Sequence, residues 1–159
     1  DLPLTLKFKI INIMSDQNRF VDNQDGTVTD TQTTLMWLRE DGWQREAKWF
    51  TWDEAHELAT HMNGIKFCSF QDWRLPLEDE IHTIYNPEVI NHDKYEKEIH
   101  LDTAFPPGGQ ATVWLKGEGG SYGTLFDFKN GEIRPIYKSK TGRMSVRLVR
   151  GSLPRKADQ

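Results

Sequence analysis

Thr51-Trp52-Asp53-Glu54-Ala55-His56-Glu57-Leu58-Ala59-Thr60-His61-Met62-Asn63-Gly64 is the stretch on which the fold reading turns. Its first four residues form a capping box: Thr51 can accept from the amide three residues on, and Glu54 can reach back to the Thr51 amide. Trp52, Ala55, Ala59 and Met62 then recur at helical spacing, and Gly64 stands where a C′ glycine ends a helix. One amphipathic helix is therefore predicted, and β-type sequence lies on both sides of it.

On the N-terminal side, Asp25-Gly26 between apolar β-formers predicts a hairpin within residues 20–30, with Thr34–Leu38 as the next strand. On the C-terminal side a second helix is predicted from Leu77 to Tyr85, with Ile81, Ile84 and Tyr85 inward and Pro76 near its first turn. Asn86-Pro87 stops it. Residues 86–110 read as irregular. Strands follow at Thr112–Lys116, Thr124–Lys129, Glu132–Tyr137 and Met144–Arg150, with Asn130-Gly131 as the strongest hairpin signal. Strands, two helices and strands again read as α+β: two helices packed on a twisted antiparallel sheet.

The 159 residues suit one domain, and 36% hydrophobic with 28% charged residues is a globular composition. No apolar run approaches the roughly 20 residues of a membrane helix, so no membrane span is expected. One cysteine, Cys68, excludes an internal disulfide framework and any multi-cysteine metal site. A net charge of −4 hides an asymmetry. Residues 1–128 hold 11 basic and 22 acidic side chains, and residues 129–159 hold 9 and 2. A basic closing segment on an acidic body can meet a polyanion or its own acidic half.

Residues 1–18 read as an N-terminal extension, 19–151 as the domain and 152–159 as a flexible tail. Leu2 to Ile10 alternates apolar and other residues, which is strand periodicity and not a secretory signal core. Met14-Ser15-Asp16 resembles a natural start, so residues 1–13 are expected to be an appendage.

Five motifs occur in order: Asp25-Gly26-Thr27-Val28-Thr29-Asp30, Thr31–Trp37, Trp52-Asp53-Glu54-Ala55, Asp72-Trp73-Arg74-Leu75-Pro76 and Val146-Arg147-Leu148-Val149-Arg150-Gly151. Over about residues 19–151 the chain resembles the C-terminal domain of the Legionella collagen-like protein, the Lcl C-terminal domain family. The resemblance implies a C-type-lectin-like fold, related to that of formylglycine-generating enzymes. It also implies a ligand-binding module of bacterial surfaces, the named member binding sulfated glycosaminoglycans. Many relatives carry two cysteines at positions that match Ala59 and Leu148, which implies that apolar packing replaces a cross-link here. The Thr that usually follows Leu-Pro is Leu77. The lack of a disulfide and of a signal favours a cytoplasmic setting, and the resemblance favours the cell surface or secretion.

No catalytic group is expected. His56 and His61 are five residues apart, and at about 100° per residue their rings diverge, unlike the i, i+4 pair of a zinc helix. Asp22–Gly26 lacks the later ligands of a calcium loop and reads as a turn. Asn86-Pro87-Glu88 reverses the order of a sugar-coordinating triplet. A single cysteine cannot perform the formylglycine-generating chemistry, and Cys68 reads as a small buried hydrophobe. Glu78-Asp79-Glu80 reads as a favourable first helical turn. No metal and no cofactor are expected.

Trp37, Trp52, Trp73 and Trp114 are read as core, and Asp72, Trp73 and Arg74 as a structural motif in which Arg74 bonds loop carbonyls. Trp43 and Trp49 flank a charged stretch and are candidate contact residues. The glycine-rich Lys116–Gly123 segment reads as a mobile loop carrying Tyr122. Lys138, Lys140 and Arg143 gather at the Ser139–Gly142 turn. The ligand-binding residues expected are thus Lys138, Lys140, Arg143, Tyr122 and Trp43, for a polyanionic glycan. Protein–protein interaction or assembly, including a homo-oligomer, is the alternative, and nucleic acid is disfavoured.

Overall fold

The computed structural model describes residues 2–7, 18–140 and 142–154. The Asp25-Gly26 turn forms as its chemistry predicts. Asp25 Oδ1 accepts from the Thr27 amide at 3.0 Å and hydroxyl at 2.6 Å, and Gly26 takes φ +95°, a conformation open to glycine. This turn folds strand β1 (Phe20–Asp22) antiparallel onto β2 (Thr27–Asp30). Strand β3 (Met36–Leu38) continues the sheet, and β9 (Val149–Arg150) closes it in the order β1-β2-β3-β9. The two ends of the domain thereby share one sheet.

Three α-helices form within described residues 18–154. Helix α1 (Gly42–Glu46) was not foreseen; Asp41 and Gln44 cap it reciprocally. Helix α2 (Trp52–Gly64) carries the predicted Thr51/Glu54 box and buries Ala55, Leu58, Ala59 and Met62. Gly64 is its last residue, not a left-handed cap; Lys66 takes the positive φ instead. Helix α3 (Glu78–Ile81) runs into a tighter turn, His82–Ile84, and buries Ile81 and Ile84. Leu77, which has no hydroxyl to cap with, leaves its amide to Glu80 Oε1 at 2.8 Å.

The single sheet expected is replaced by three separate antiparallel sheets. Strands β4 (Asn91–His92) and β5 (Glu98–Ile99) pair inside the segment read as irregular. Strands β6 (Thr112–Trp114), β7 (Tyr122–Asp127) and β8 (Ile133–Tyr137) form the third sheet in that order. Residues 144–149 explain the division. All are buried, so this segment has no solvent face. Its backbone groups bond Phe50, Gly42, Leu38, Thr112 and Trp114 in turn. It stitches the β6 sheet to the β3 sheet instead of extending either, and only Val149–Arg150 pairs as a strand.

Two apolar clusters result. Trp37, Val149, Ile81 and Phe126 belong to one; Leu38, Leu148, Trp73 and Trp114 belong to the other. Alternation along β3 and the closing segment sends neighbouring residues into different clusters. Ala59 and Leu148 both lie in the second, 6% and 0% exposed.

The alternating N-terminal sequence does not make the expected strand in its described part. Residues 4–7 form one helical turn, with the Lys7 amide donating to Pro3 O, and Leu2, Leu4 and Leu6 are exposed. Alternation makes a strand only where a partner strand satisfies its backbone, and none pairs with residues 2–7. The Met14 start lies outside the described residues.

The β7–β8 connection is a four-residue loop, 128–131, between the last bonded pair, Asp127 and Glu132. Only Gly131 takes positive φ, +76°, and a Cβ there would sit 2.8 Å from the Tyr85 ring. Gly131→Ala therefore combines backbone strain with a clash. It is expected to lower stability by roughly 2 kcal/mol in urea denaturation; a loss under about 0.5 kcal/mol would show that Tyr85 yields freely.

Candidate functional site

The motif residues turn out to be joints. Asp30 is fully buried and takes two bonds from Arg19, at 2.8 and 2.7 Å. Burial raises its pKa, but the Arg19 and Thr33 bonds outweigh this and hold it below the usual carboxylate range. Asp72 pairs with Arg150 at 2.7 Å, tying the loop before α3 to β9. Trp73 is buried; its amide donates to Asn63 Oδ1 and its ring nitrogen to Phe67 O, clamping the end of α2. Arg74 is the carbonyl hub expected. It donates to Leu75 O and Gly151 O and forks onto Glu80 at 2.7 and 2.6 Å.

Trp37 and Trp114 are fully buried. Trp52 is not core as expected: it is half-buried, and its ring nitrogen donates to Lys116 O at 3.1 Å. Its face carries the Lys138 ammonium, 3.9 Å from the ring centroid. Lys138 Nζ also donates to Glu118 O. The His56 ring lies 4.0 Å from Trp52 and is half-buried, while His61 is exposed. Burial first, then the charges of Lys138 and Lys116 against that of Asp53, lower the His56 pKa.

Tyr122 begins β7 and does not ride on the glycine loop. It stacks on Tyr137 of β8, centroids 4.4 Å apart, and their hydroxyls bond at 2.7 Å. That bond raises the Tyr122 pKa. Both rings are about half exposed. Tyr137 was missed because a two-residue turn at Asn130-Gly131 would set Ser139 opposite Tyr122, whereas the four-residue loop 128–131 shifts the register and sets Tyr137 there. The loop between β6 and β7 is strapped over Trp52 by the bonds at Lys116 and Glu118.

A second cluster forms around Trp43. Trp43 and Trp49 stack at 4.4 Å. Lys94 Nζ lies 3.6 Å from the Trp43 centroid, 5.2 Å from that of Trp49 and 5.0 Å from that of Tyr95. The Arg143 guanidinium sits 5.4 Å from the Tyr95 ring. Lys94 and Tyr95 were missed because segment 86–110 shows no periodicity to place them. The turn thus does not gather Lys138, Lys140 and Arg143. Lys138 turns to Trp52, Arg143 to Tyr95, and Lys140 stays exposed between them. Among the described residues, Lys94, Lys138 and Arg143 pair with no carboxylate.

Three arginines of the basic segment are spent internally, Arg150 on Asp72 among them. Arg134 bonds Asp127 and Glu132. Arg147 is buried, donates to Leu38 O and Arg39 O, and lies 4.9 Å from the Phe105 ring. Cys68 is half-buried rather than core: it sits at φ +55° and its thiol donates to Asp25 O. Burial and the Asp25 charge raise its pKa, which disfavours the reactive thiolate. No group of three or more His, Cys, Asp or Glu that could hold a metal occurs among the described residues. No helix among them is long and apolar enough to cross a membrane.

The joints made by Gly26, Asp30, Trp73, Arg74 and Arg150 fall within the span that matches a family model, residues 26–150 of the Lcl C-terminal domain. The chain belongs to the Lcl C-terminal domain family. A comparison with curated proteins finds no match. In this Lcl C-terminal domain the quoted motifs build the scaffold, and one of them also supplies Trp52 to the first cation–aromatic cluster.

Proposed function

We propose that this Lcl C-terminal domain is a non-enzymatic binding module for a polyanionic glycan, built on a C-type-lectin-like variant of the α+β architecture. The observation that carries this is Lys138. Its ammonium is held on the Trp52 face with no carboxylate to neutralise it among the described residues, beside the half-exposed Tyr122–Tyr137 pair. A cation fixed on an aromatic face keeps its positive field for an incoming sulfate or carboxylate. Tyrosine rings offer an apolar face to a sugar ring and a hydroxyl to its edge. The acidic body limits the attraction to this small patch and disfavours long nucleic acids.

Protein–protein assembly is the second reading, favoured by the exposed Leu2, Leu4 and Leu6 of the N-terminal turn. Strand addition at β8 is disfavoured. Thr124 bonds towards β6, so its partner Pro135 points its missing donor outward on the free edge.

Heparin-column retention, run beside light scattering, tests the proposal. The domain should bind at low salt and elute as salt screens the contact. Lys138→Ala/Lys140→Ala/Arg143→Ala should elute at clearly lower salt. Wild type in the void volume at low salt ends the glycan reading, and a concentration-dependent mass supports assembly. Single-stranded DNA run as a competitor separates glycan from nucleic acid.

A further inference from the structure

We infer that the Trp43–Trp49–Tyr95 cluster, with Lys94 and Arg143, is a second subsite for the same polyanionic chain, so that the domain selects its ligand by length. The inference rests on the glycan reading above and adds to it a second contact and a size requirement.

The second cluster repeats the chemistry of the first with different residues. A tryptophan face carries a lysine ammonium at 3.6 Å here and at 3.9 Å around Trp52. A tyrosine exposed to 42% stands beside it, with an exposed arginine at its face. Neither cation has a carboxylate partner among the described residues. Three other surface cations are neutralised, Arg39 by Asp22, Lys48 by Glu54 and Arg150 by Asp72; Lys66, Lys97 and Lys116 are exposed but rest on no ring among the described residues. Cations left unpaired, against rings that stay half open, are the chemistry an anionic, ring-bearing ligand needs.

The two clusters are tied together by two segments that run in opposite directions. Trp49 and Trp52 are three residues apart, so their Cα atoms lie within about 11 Å. Residues 138 and 143 are five apart, within about 18 Å. The segments are bonded to each other, Trp52 N to Lys138 O at 3.1 Å and Phe50 N to Met144 O at 2.8 Å. The spacing between subsites is therefore set by the fold and not by a flexible linker. Exposed Lys140 lies on the turn between them. A chain long enough to reach both subsites makes its second contact intramolecularly, which raises affinity without any new type of contact. A fragment covering one subsite gains nothing from the other.

The test is a titration of heparin-derived oligosaccharides of defined, increasing length, followed by calorimetry and tryptophan fluorescence. Wild type should show at least a tenfold rise in affinity over a narrow range of lengths and a plateau beyond it. Lys94→Gln removes the charge on the Trp43 face and leaves Lys138, Lys140 and Arg143 in place. It should retain wild-type affinity for the shortest binding fragment and lose the step. Thermal midpoints confirm that the variant is folded. A step that survives in this variant, or a smooth length dependence in wild type, overturns the second subsite while leaving glycan binding intact. Absence of binding at every length overturns both.

Discussion

Arg74→Ala is expected to remove about 3 kcal/mol of folding stability, a large share of the roughly 5–15 kcal/mol that holds a domain together. Arg74 forks onto Glu80, whose side chain is only 2% exposed. Truncating the arginine leaves that carboxylate buried with its partner gone, and this desolvation dominates the loss. The 27% exposure of Arg74 places the figure at the low end of the range for broken buried pairs. The same change frees the carbonyls of Leu75 and Gly151, so β9 loses an anchor to the loop before α3. Arg74→Lys keeps the charge but not the planar fork and should recover only part of the loss. In a double-mutant cycle with Glu80→Ala, the double variant should lose well under the sum of the single losses. A single-variant loss below about 0.5 kcal/mol in urea denaturation, with an unchanged slope, would show that water or Asp79 replaces the fork.

Arg74 also marks how far the sequence could be read. Its role as a carbonyl hub follows from five donors in a loop-rich context, and the structure has that hub. Glu80 as its partner was hidden because an acidic first turn explains Glu80 sufficiently by itself. Helix α2 was legible to its cap, since Thr51 and Glu54 carry their own local chemistry. Helix α1 was passed over, although Asp41 and Gln44 stand at the same spacing; its five residues are too few to show a period. The residues of the second cluster were the least legible. Lys94 and Tyr95 reach Trp43 through a turn at Asp93, whose carboxylate accepts the amides of Tyr95 and Lys97. Nothing in a linear pattern joins positions about fifty residues apart.

The last segment shows why the basic charge misleads. Strand alternation over Met144–Arg150 puts Met144, Val146, Leu148 and Arg150 on one face and Ser145, Arg147 and Val149 on the other. The structure buries both faces, Arg147 included. A guanidinium in that position presents no donor at the surface, and Arg134 and Arg150 are neutralised in place. Lys94, Lys138 and Arg143 rest on aromatic rings instead of carboxylates among the described residues.

Those cations depend on the core beneath them, and Trp114→Ala is the variant that exposes the dependence, with an expected loss of about 3–5 kcal/mol. Trp114 is fully buried in the second apolar cluster and donates to Phe50 O at 2.7 Å. Its amide bonds Ser145 O, so it also fixes the closing segment. A Cβ built at Gly123 would lie 2.8 Å from the Trp114 ring and 3.3 Å from Lys138 Cγ. The bare glycine therefore lets the indole approach the strand next to the lysine stem. Removing the indole opens a cavity under Gly123, leaves Phe50 O without its donor and unpins the backbone between Trp49 and Trp52. Trp114→Phe keeps most of the volume and loses the ring N–H, so its cost should be nearer 1–3 kcal/mol. Gly123→Ala tests the same contact from the other side: overpacking should cost about 1–3 kcal/mol. Chemical denaturation measures all three. Equal losses for Trp114→Ala and Trp114→Phe would assign the stability to the Phe50 hydrogen bond rather than to the packing that seats Lys138.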